Sequence, residues 1–161
     1  LYHHKGEVDL DVPLADAAPM GLARVVRAGT DITLITYGAM VSTALQAAEA
    51  AEDEGLSLEV VDLRSLSPVD YDTVAASVRK TGRVVVAHEA SREAGVAAEV
   101  IASITERCFE YLESAPLRVT GHDVPYPPAK LEKYHLPDLD RLLDAVDRAL
   151  DRPHSLTGAD A

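Results

Sequence analysis

The densest run of chemistry-bearing side chains is His88-Glu89-Ala90-Ser91-Arg92-Glu93-Ala94-Gly95. An imidazole beside a carboxylate, a hydroxyl and a guanidinium is the material of general bases and ligands. The run follows the nearly all-apolar Arg83-Val84-Val85-Val86-Ala87 and precedes a helical pattern, which is where an α/β protein sets its reactive groups. The spacing is nevertheless not the His-Glu-x-x-His of a zinc helix. Ser91 does not sit in a nucleophile elbow either. His88, Glu89 and Arg92 are therefore read as residues that fix a loop, cap a helix or face another subunit. No catalytic residue is assigned.

The other candidates are weaker. Tyr37-Gly38-Ala39-Met40 is a strand-to-helix turn without the G-x-G-x-x-G that lets a backbone approach a pyrophosphate, and it has no Walker lysine. A nucleotide site is not expected there. Asp62 ends a strand as a receiver-domain phosphoacceptor does, but no acidic pair ends the preceding strand to hold a metal. His3-His4-Lys5 are adjacent and cannot face one ion as an i, i+4 pair on a helix can, so they read as exposed linker. Cys108 falls on the apolar face of a helix and reads as a small buried hydrophobe. No metal site is assigned.

The elements that must position these groups follow from composition and period. At 161 residues and 47% hydrophobic the chain suits one domain, and no run approaches the ~20 apolar residues of a membrane span. A net charge of −12 argues against nucleic acid and anionic membrane surfaces and suits a basic partner. A single cysteine excludes an internal disulfide framework and fits a reducing compartment. With no tryptophan, no asparagine and one phenylalanine, the core must be built from Val, Leu, Ile and Ala. The chain begins at Leu1 without a basic and apolar leader, which suggests a fragment or processed chain.

Residues 1–22 have little periodicity and read as a linker or arm. Residues 23–27 and 32–37 are short strands joined by Ala28-Gly29-Thr30, a spacing that predicts antiparallel pairing with each other. Val41, Ala44, Leu45, Ala48 and Ala51 recur at helical spacing up to Gly55. Glu52-Asp53-Glu54 sit at that helix's negative end, where solvation is expected to offset them. Residues 58–63 form the next strand. Ser67 then reads as an N-cap, with Pro68 at the first helical position and Asp70 reaching back.

The strand at 83–87 is apolar enough to be central. Val96, Val100, Ile101, Ile104 and Cys108 mark a third helix, and residues 117–120 a last strand ended by Gly121. Residues 122–136 cross irregularly. A final helix begins at Pro137 with the stripe Leu139, Leu142, Leu143, Val146 and Leu150. Residues 151–161 read as a disordered tail. The fold class is α/β: three layers, α/β/α, around a five-stranded, mostly parallel mixed sheet.

Several of these segments together resemble a known family. They are Gly29-Thr30-Asp31-Ile32-Thr33-Leu34-Ile35-Thr36-Tyr37-Gly38, Val61-Asp62-Leu63-Arg64-Ser65-Leu66-Ser67-Pro68, Lys80-Thr81-Gly82-Arg83, His88-Glu89-Ala90, Arg118-Val119-Thr120-Gly121 and Asp123-Val124-Pro125-Tyr126-Pro127. Over residues 1–150, in unbroken order, they resemble the carboxyl-terminal transketolase-like domain. More closely, they resemble that of the E1 β subunit of 2-oxoacid dehydrogenase complexes. Leu1-Tyr2 resembles the segment joining the two halves of that subunit, so residues 1–22 would be an arm from a missing amino-terminal half and 23–150 the domain proper.

The resemblance implies that thiamine diphosphate and Mg belong to the full enzyme and that this fragment holds no cofactor and is inactive alone. It implies partners in an α2β2 assembly, namely an E1 α subunit and a second β subunit, and a docking surface for the basic subunit-binding domain of the E2 acyltransferase. Glu113, just before Ser114-Ala115-Pro116, corresponds to a position where E1 β subunits present a carboxylate to E2. His88-Glu89-Ala90 and the Tyr-Pro-Pro-Ala run lie closer to branched-chain 2-oxoacid enzymes than to pyruvate enzymes. The implied location is the cytoplasm, or the mitochondrial matrix in a eukaryote. The alternatives are a domain of another superfamily enzyme, such as transketolase or deoxyxylulose phosphate synthase, and a free-standing interaction domain.

Overall fold

The computed structural model describes Asp11 and residues 19–152. His3-His4-Lys5, Leu1-Tyr2, most of the 1–22 arm and residues 153–161 of the expected tail lie outside the described residues.

The sheet is built on β2 (Ile32–Thr36), whose five residues are all buried, as expected of a strand covered on both faces. It lies between β3 (Leu58–Asp62) and β4 (Val84–Ser91), parallel to both. β5 (Leu117–Gly121) adds in parallel to β4, and β1 (Arg24–Arg27) adds antiparallel to β3. The order is therefore β1-β3-β2-β4-β5.

Two expectations are corrected here. β1 does not pair with β2, and the central strand is β2 rather than the one at 83–87. The cause lies in the turn between β1 and β2. Thr30 N and Asp31 N both donate to Ser57 O, at 3.0 and 2.9 Å, and a Cβ on Gly29 would lie 2.2 Å from the Leu58 carbonyl carbon. The turn thus hooks over the start of β3 instead of closing a hairpin.

Helices cover both faces. On one side α1 (Met40–Asp53) and α5 (Leu139–Ala149) bury Ala44, Ala47, Ala48, Leu142, Ala145 and Val146 against Ile32, Leu34 and Val60. On the other, α2 (Tyr71–Thr81) and α3 (Val96–Cys108) bury Val74, Val78, Val100, Ile104 and Cys108 against Ile35, Val61 and Val86. Cys108 is the buried small hydrophobe expected, with its thiol 3.8 Å from the Ala75 carbonyl.

Helix ends differ from expectation by a few residues. α2 starts at Tyr71, not Pro68, because the Asp70 carboxylate accepts from Thr73 N at 3.1 Å and from Thr73 Oγ1 at 2.6 Å and is itself the cap. These bonds hold the Asp70 carboxyl below its ordinary pKa. α5 likewise starts at Leu139, capped by Asp138. Glu52, Asp53 and Glu54 are exposed to solvent as expected, and the two glutamates also find cations. They pair with Arg27 at 2.6 Å and Arg152 at 3.2 Å. The irregular crossing holds a 3-10 turn (Ala129–Leu131) and a short helix, α4 (Glu132–His135).

Candidate functional site

The carboxyl end of the sheet, where α/β proteins commonly bind ligands, brings together the ends of β2, β4 and β5. The His88 cluster is not the loop the sequence suggests. β4 runs through it to Ser91. The reason is a bulge: three steps along β4 from His88 to Ser91 answer a single step along β5 from Thr120 to Gly121. Such an irregularity re-aims side chains. His88 points into the protein and is fully buried, while Glu89 and Ala90 face outward.

His88 packs against the start of α3. A Cβ on Gly95 would lie 2.7 Å from the ring's Cε1, 2.8 Å from Nε2 and 2.4 Å from Ser91 O. Only a glycine fits between ring and strand. The Tyr37 ring stands 6.2 Å away. Neither His88 ring nitrogen makes a hydrogen bond of normal geometry among the described residues. Burial pushes the imidazole pKa below its ordinary value, the charge of Arg118 adds to that, and the Ala90 and His88 backbone opposes it. His88 is therefore held neutral. The Tyr37 hydroxyl is pushed up, first by burial and then by the charge of Glu89.

A second contact of the same design lies on β5. A Cβ on Gly121 would meet Glu89 O at 2.4 Å and His135 Nε2 at 2.6 Å. The Tyr126 ring meets His135 edge-on at 5.1 Å, and Tyr126 OH donates to Glu132 Oε1 at 3.0 Å, which raises the phenol's pKa. Arg141 of α5 donates to Thr120 O at 2.6 Å. Arg92 is exposed. Its carbonyl accepts from Arg118 Nη1 at 3.1 Å, and Glu93 N donates to Asp123 Oδ1 at 2.9 Å.

His135, Tyr126, Glu132 and Arg141 were not singled out from the sequence. Gly121, read there only as a strand terminator, was the one available sign of a close packing partner. Glu59 was also passed over. This buried carboxylate on β3 accepts from Ser77 and Lys80, and Ser77 and Thr81 bond in turn to Thr33.

Glu113 lies at the opposite, amino end of the sheet. After the 3-10 turn Phe109–Tyr111, Glu113 N donates to Gly82 O at 2.8 Å, and its carboxylate meets Arg83 Nη2 at 2.6 Å. The side chain remains 57% exposed, flanked by exposed Phe109 and Tyr111. The structure brings His88 and Glu89 together with the β5 end, and sets Glu113 apart from them.

Among the described residues, no three His, Cys, Asp or Glu side chains converge to hold a metal. At the carboxyl end the space beside β4 is filled by His88 against Gly95. What the arrangement offers is a rigid, neutral packing centre at one end and an open, charged face at the other.

The family model described as the transketolase C-terminal domain matches residues 21–142. The chain is 53% identical over 153 residues to a 3-methyl-2-oxobutanoate dehydrogenase subunit beta of Mycobacterium tuberculosis, a match covering 94% of this chain and 43% of the relative. It is 55% identical over 150 residues to a pyruvate dehydrogenase E1 component subunit beta of Leifsonia xyli, covering 92% of this chain and 43% of that one. A solved structure described as a split gene transketolase, inactive beta4 tetramer, is similar at TM-score 0.69 and 36% identity, covering 81% of this chain and 42% of that one. The chain thus spans about 43% of the length of these curated relatives.

Proposed function

The chain belongs to the transketolase C-terminal domain family, and from that premise we propose that it serves as the assembly and docking domain of a 2-oxoacid dehydrogenase E1 β subunit. The observation that carries the proposal is identity of 53% and 55%, over more than nine-tenths of the chain, with the β subunits of two such enzymes. The domain proper is assigned to residues 23–150. The whole enzyme is proposed to decarboxylate a branched-chain 2-oxoacid oxidatively, to pass the acyl group to lipoyl-E2, and to assemble as α2β2. The cytoplasm is the proposed location.

Thiamine diphosphate and Mg are assigned to the larger enzyme and not to this domain. The crevice at the carboxyl end lacks phosphate-binding glycines, and the nearest imidazole is sealed behind Gly95.

Glu113 is the proposed E2 contact. It is a charged group already held in place by Arg83 and by the backbone bond to Gly82. A carboxylate on a short, tethered loop loses less freedom on binding than one on a free chain. A basic E2 domain would exchange the Arg83 contact for its own cations, while the net charge of −12 steers its approach. His88, Glu89 and Arg92 are proposed to hold the β4–α3 junction in the shape that a neighbouring subunit meets. The E2 test is titration of the chain with a basic E2 subunit-binding domain in a calorimeter at two salt concentrations. Binding should weaken steeply with salt and fall about tenfold or more in Glu113→Lys. Undiminished binding in that variant removes Glu113 from the docking surface.

The likeness to a split gene transketolase leaves a transketolase as the second reading. A decarboxylation assay of the larger enzyme with branched-chain 2-oxoacids separates the two.

A further inference from the structure

A cleft of about 380 Å³ runs beside the edge strand β5, between the outer face of α3 and the end of α5. Its apolar floor includes Ile101, Ala102 and Leu117, and its charged groups are Arg92, Arg118 and Arg148. No carboxylate lines it, although the chain carries 27 acidic residues against 15 basic ones. Among the described residues neither Arg92 nor Arg118 pairs with a carboxylate. Arg148 has a single i, i+4 contact, with the partly buried Asp144 at 3.7 Å, the long end of ion-pair distance. Arg118 is held in place by its bond to Arg92 O.

Three guanidinium groups line one cleft of a strongly acidic protein, and two of them have no carboxylate partner among the described residues. Arginine is also the cation best suited to bidentate carboxylate contact at an interface. We propose that this cleft docks an acidic segment of a protein partner, with two carboxylates placed on the arginines and an apolar side chain between them on the floor. Thr120 O near the end of β5 is already taken by Arg141, and the segment is placed across the α3 face, where the apolar lining lies. A free inorganic anion would leave the apolar floor wet, and nucleic acid is opposed by the charge of the rest of the surface. The sign of the cleft is opposite to that of the Glu113 face, so the two would take different partners.

The test uses the full 161-residue chain and a fluorescently labelled probe peptide of alternating Glu-Glu and Leu-Leu pairs. Anisotropy should show binding at ~20 mM salt that is largely lost by ~300 mM. Arg92→Glu with Arg148→Glu should weaken it at least tenfold, and the milder Arg118→Gln should weaken it without unfolding the chain, checked by circular dichroism. Glu113→Lys should leave it unchanged, which separates this result from the fate of the E2 proposal. The inference is overturned by any of four outcomes. These are unaltered peptide binding in the charge-reversed variant, equal binding of a peptide with Ser in place of Leu, full competition by inorganic phosphate at matched ionic strength, or self-association of the chain that the arginine substitutions abolish.

Discussion

The two ends of the sheet are built on opposite plans. At the carboxyl end, His88 against Gly95 and His135 against Gly121 leave less than one side-chain atom of clearance, and both imidazoles are buried. At the amino end, Glu113 stands in solvent beside Phe109 and Tyr111, steadied by one ion pair and one backbone bond. The same parallel sheet thus spends its usual ligand end on rigidity and leaves its other end free for contact. Position in a fold suggests where a site could be. The packing decides whether it is one.

The sharpest way to break this contrast is to add a single methyl group at the closed end. Gly95→Ala and Gly121→Ala should each destabilise the chain by about 1–3 kcal/mol, because backbone carbonyls at 2.4 Å cannot move aside as a flexible side chain can. Chemical denaturation would measure this. In the Gly95→Ala background, His88→Ala should recover part of the loss by removing the ring but not the Ser91 carbonyl. No recovery would mean that the backbone contact alone sets the cost.

A smaller effect should appear in the acid range. The folded-state pKa of His88 lies below its ordinary value of 6.5. Above about pH 6.5 the group is neutral in both folded and unfolded chains and contributes no pH dependence. As the pH falls below that, the unfolded chain takes up the proton first, so folding stability declines. His88→Leu should flatten the fall in melting temperature between about pH 6.5 and 5, whatever it does to stability at neutral pH. An unchanged slope would place the titrating group elsewhere.

The smallest effect belongs to the open end. Glu113→Gln breaks a largely exposed pair with Arg83 and should cost at most about 1 kcal/mol. A loss as large as that at Gly95 would erase the distinction between the two ends.

Much of the architecture was legible in the sequence because it rests on local rules. The apolar runs of β2 and β4, the alanine spacing of α1 and the stripe of α5 each declare their element by period. The misread parts depend on contacts between distant residues. β1 pairs with β3 because Gly29 presses on the backbone of Leu58, which no turn rule at residues 28–30 reveals. β4 swallows the polar cluster because a bulge opposite Thr120 and Gly121 absorbs it. His135 and Arg141 belong to the β5 end only because the chain returns there through an irregular crossing. Asp70 displaced Ser67 as the cap because it reaches Thr73 directly, a competition between neighbours that pattern alone leaves open.

Gly82 ends α2 in the left-handed conformation, its carbonyl accepts from Glu113 N, and a Cβ there would lie 2.8 Å from Glu113 Cγ. The glycine and the glutamate are therefore one structural unit, although they lie far apart in the chain. A lineage that abandoned the carboxylate would still need the glycine, because the left-handed end of α2 strains any other residue. A lineage that lost the glycine first would find its glutamate pointing elsewhere. The dependence therefore runs one way: the placement of the glutamate rests on the glycine, while the glycine is held by the turn it makes.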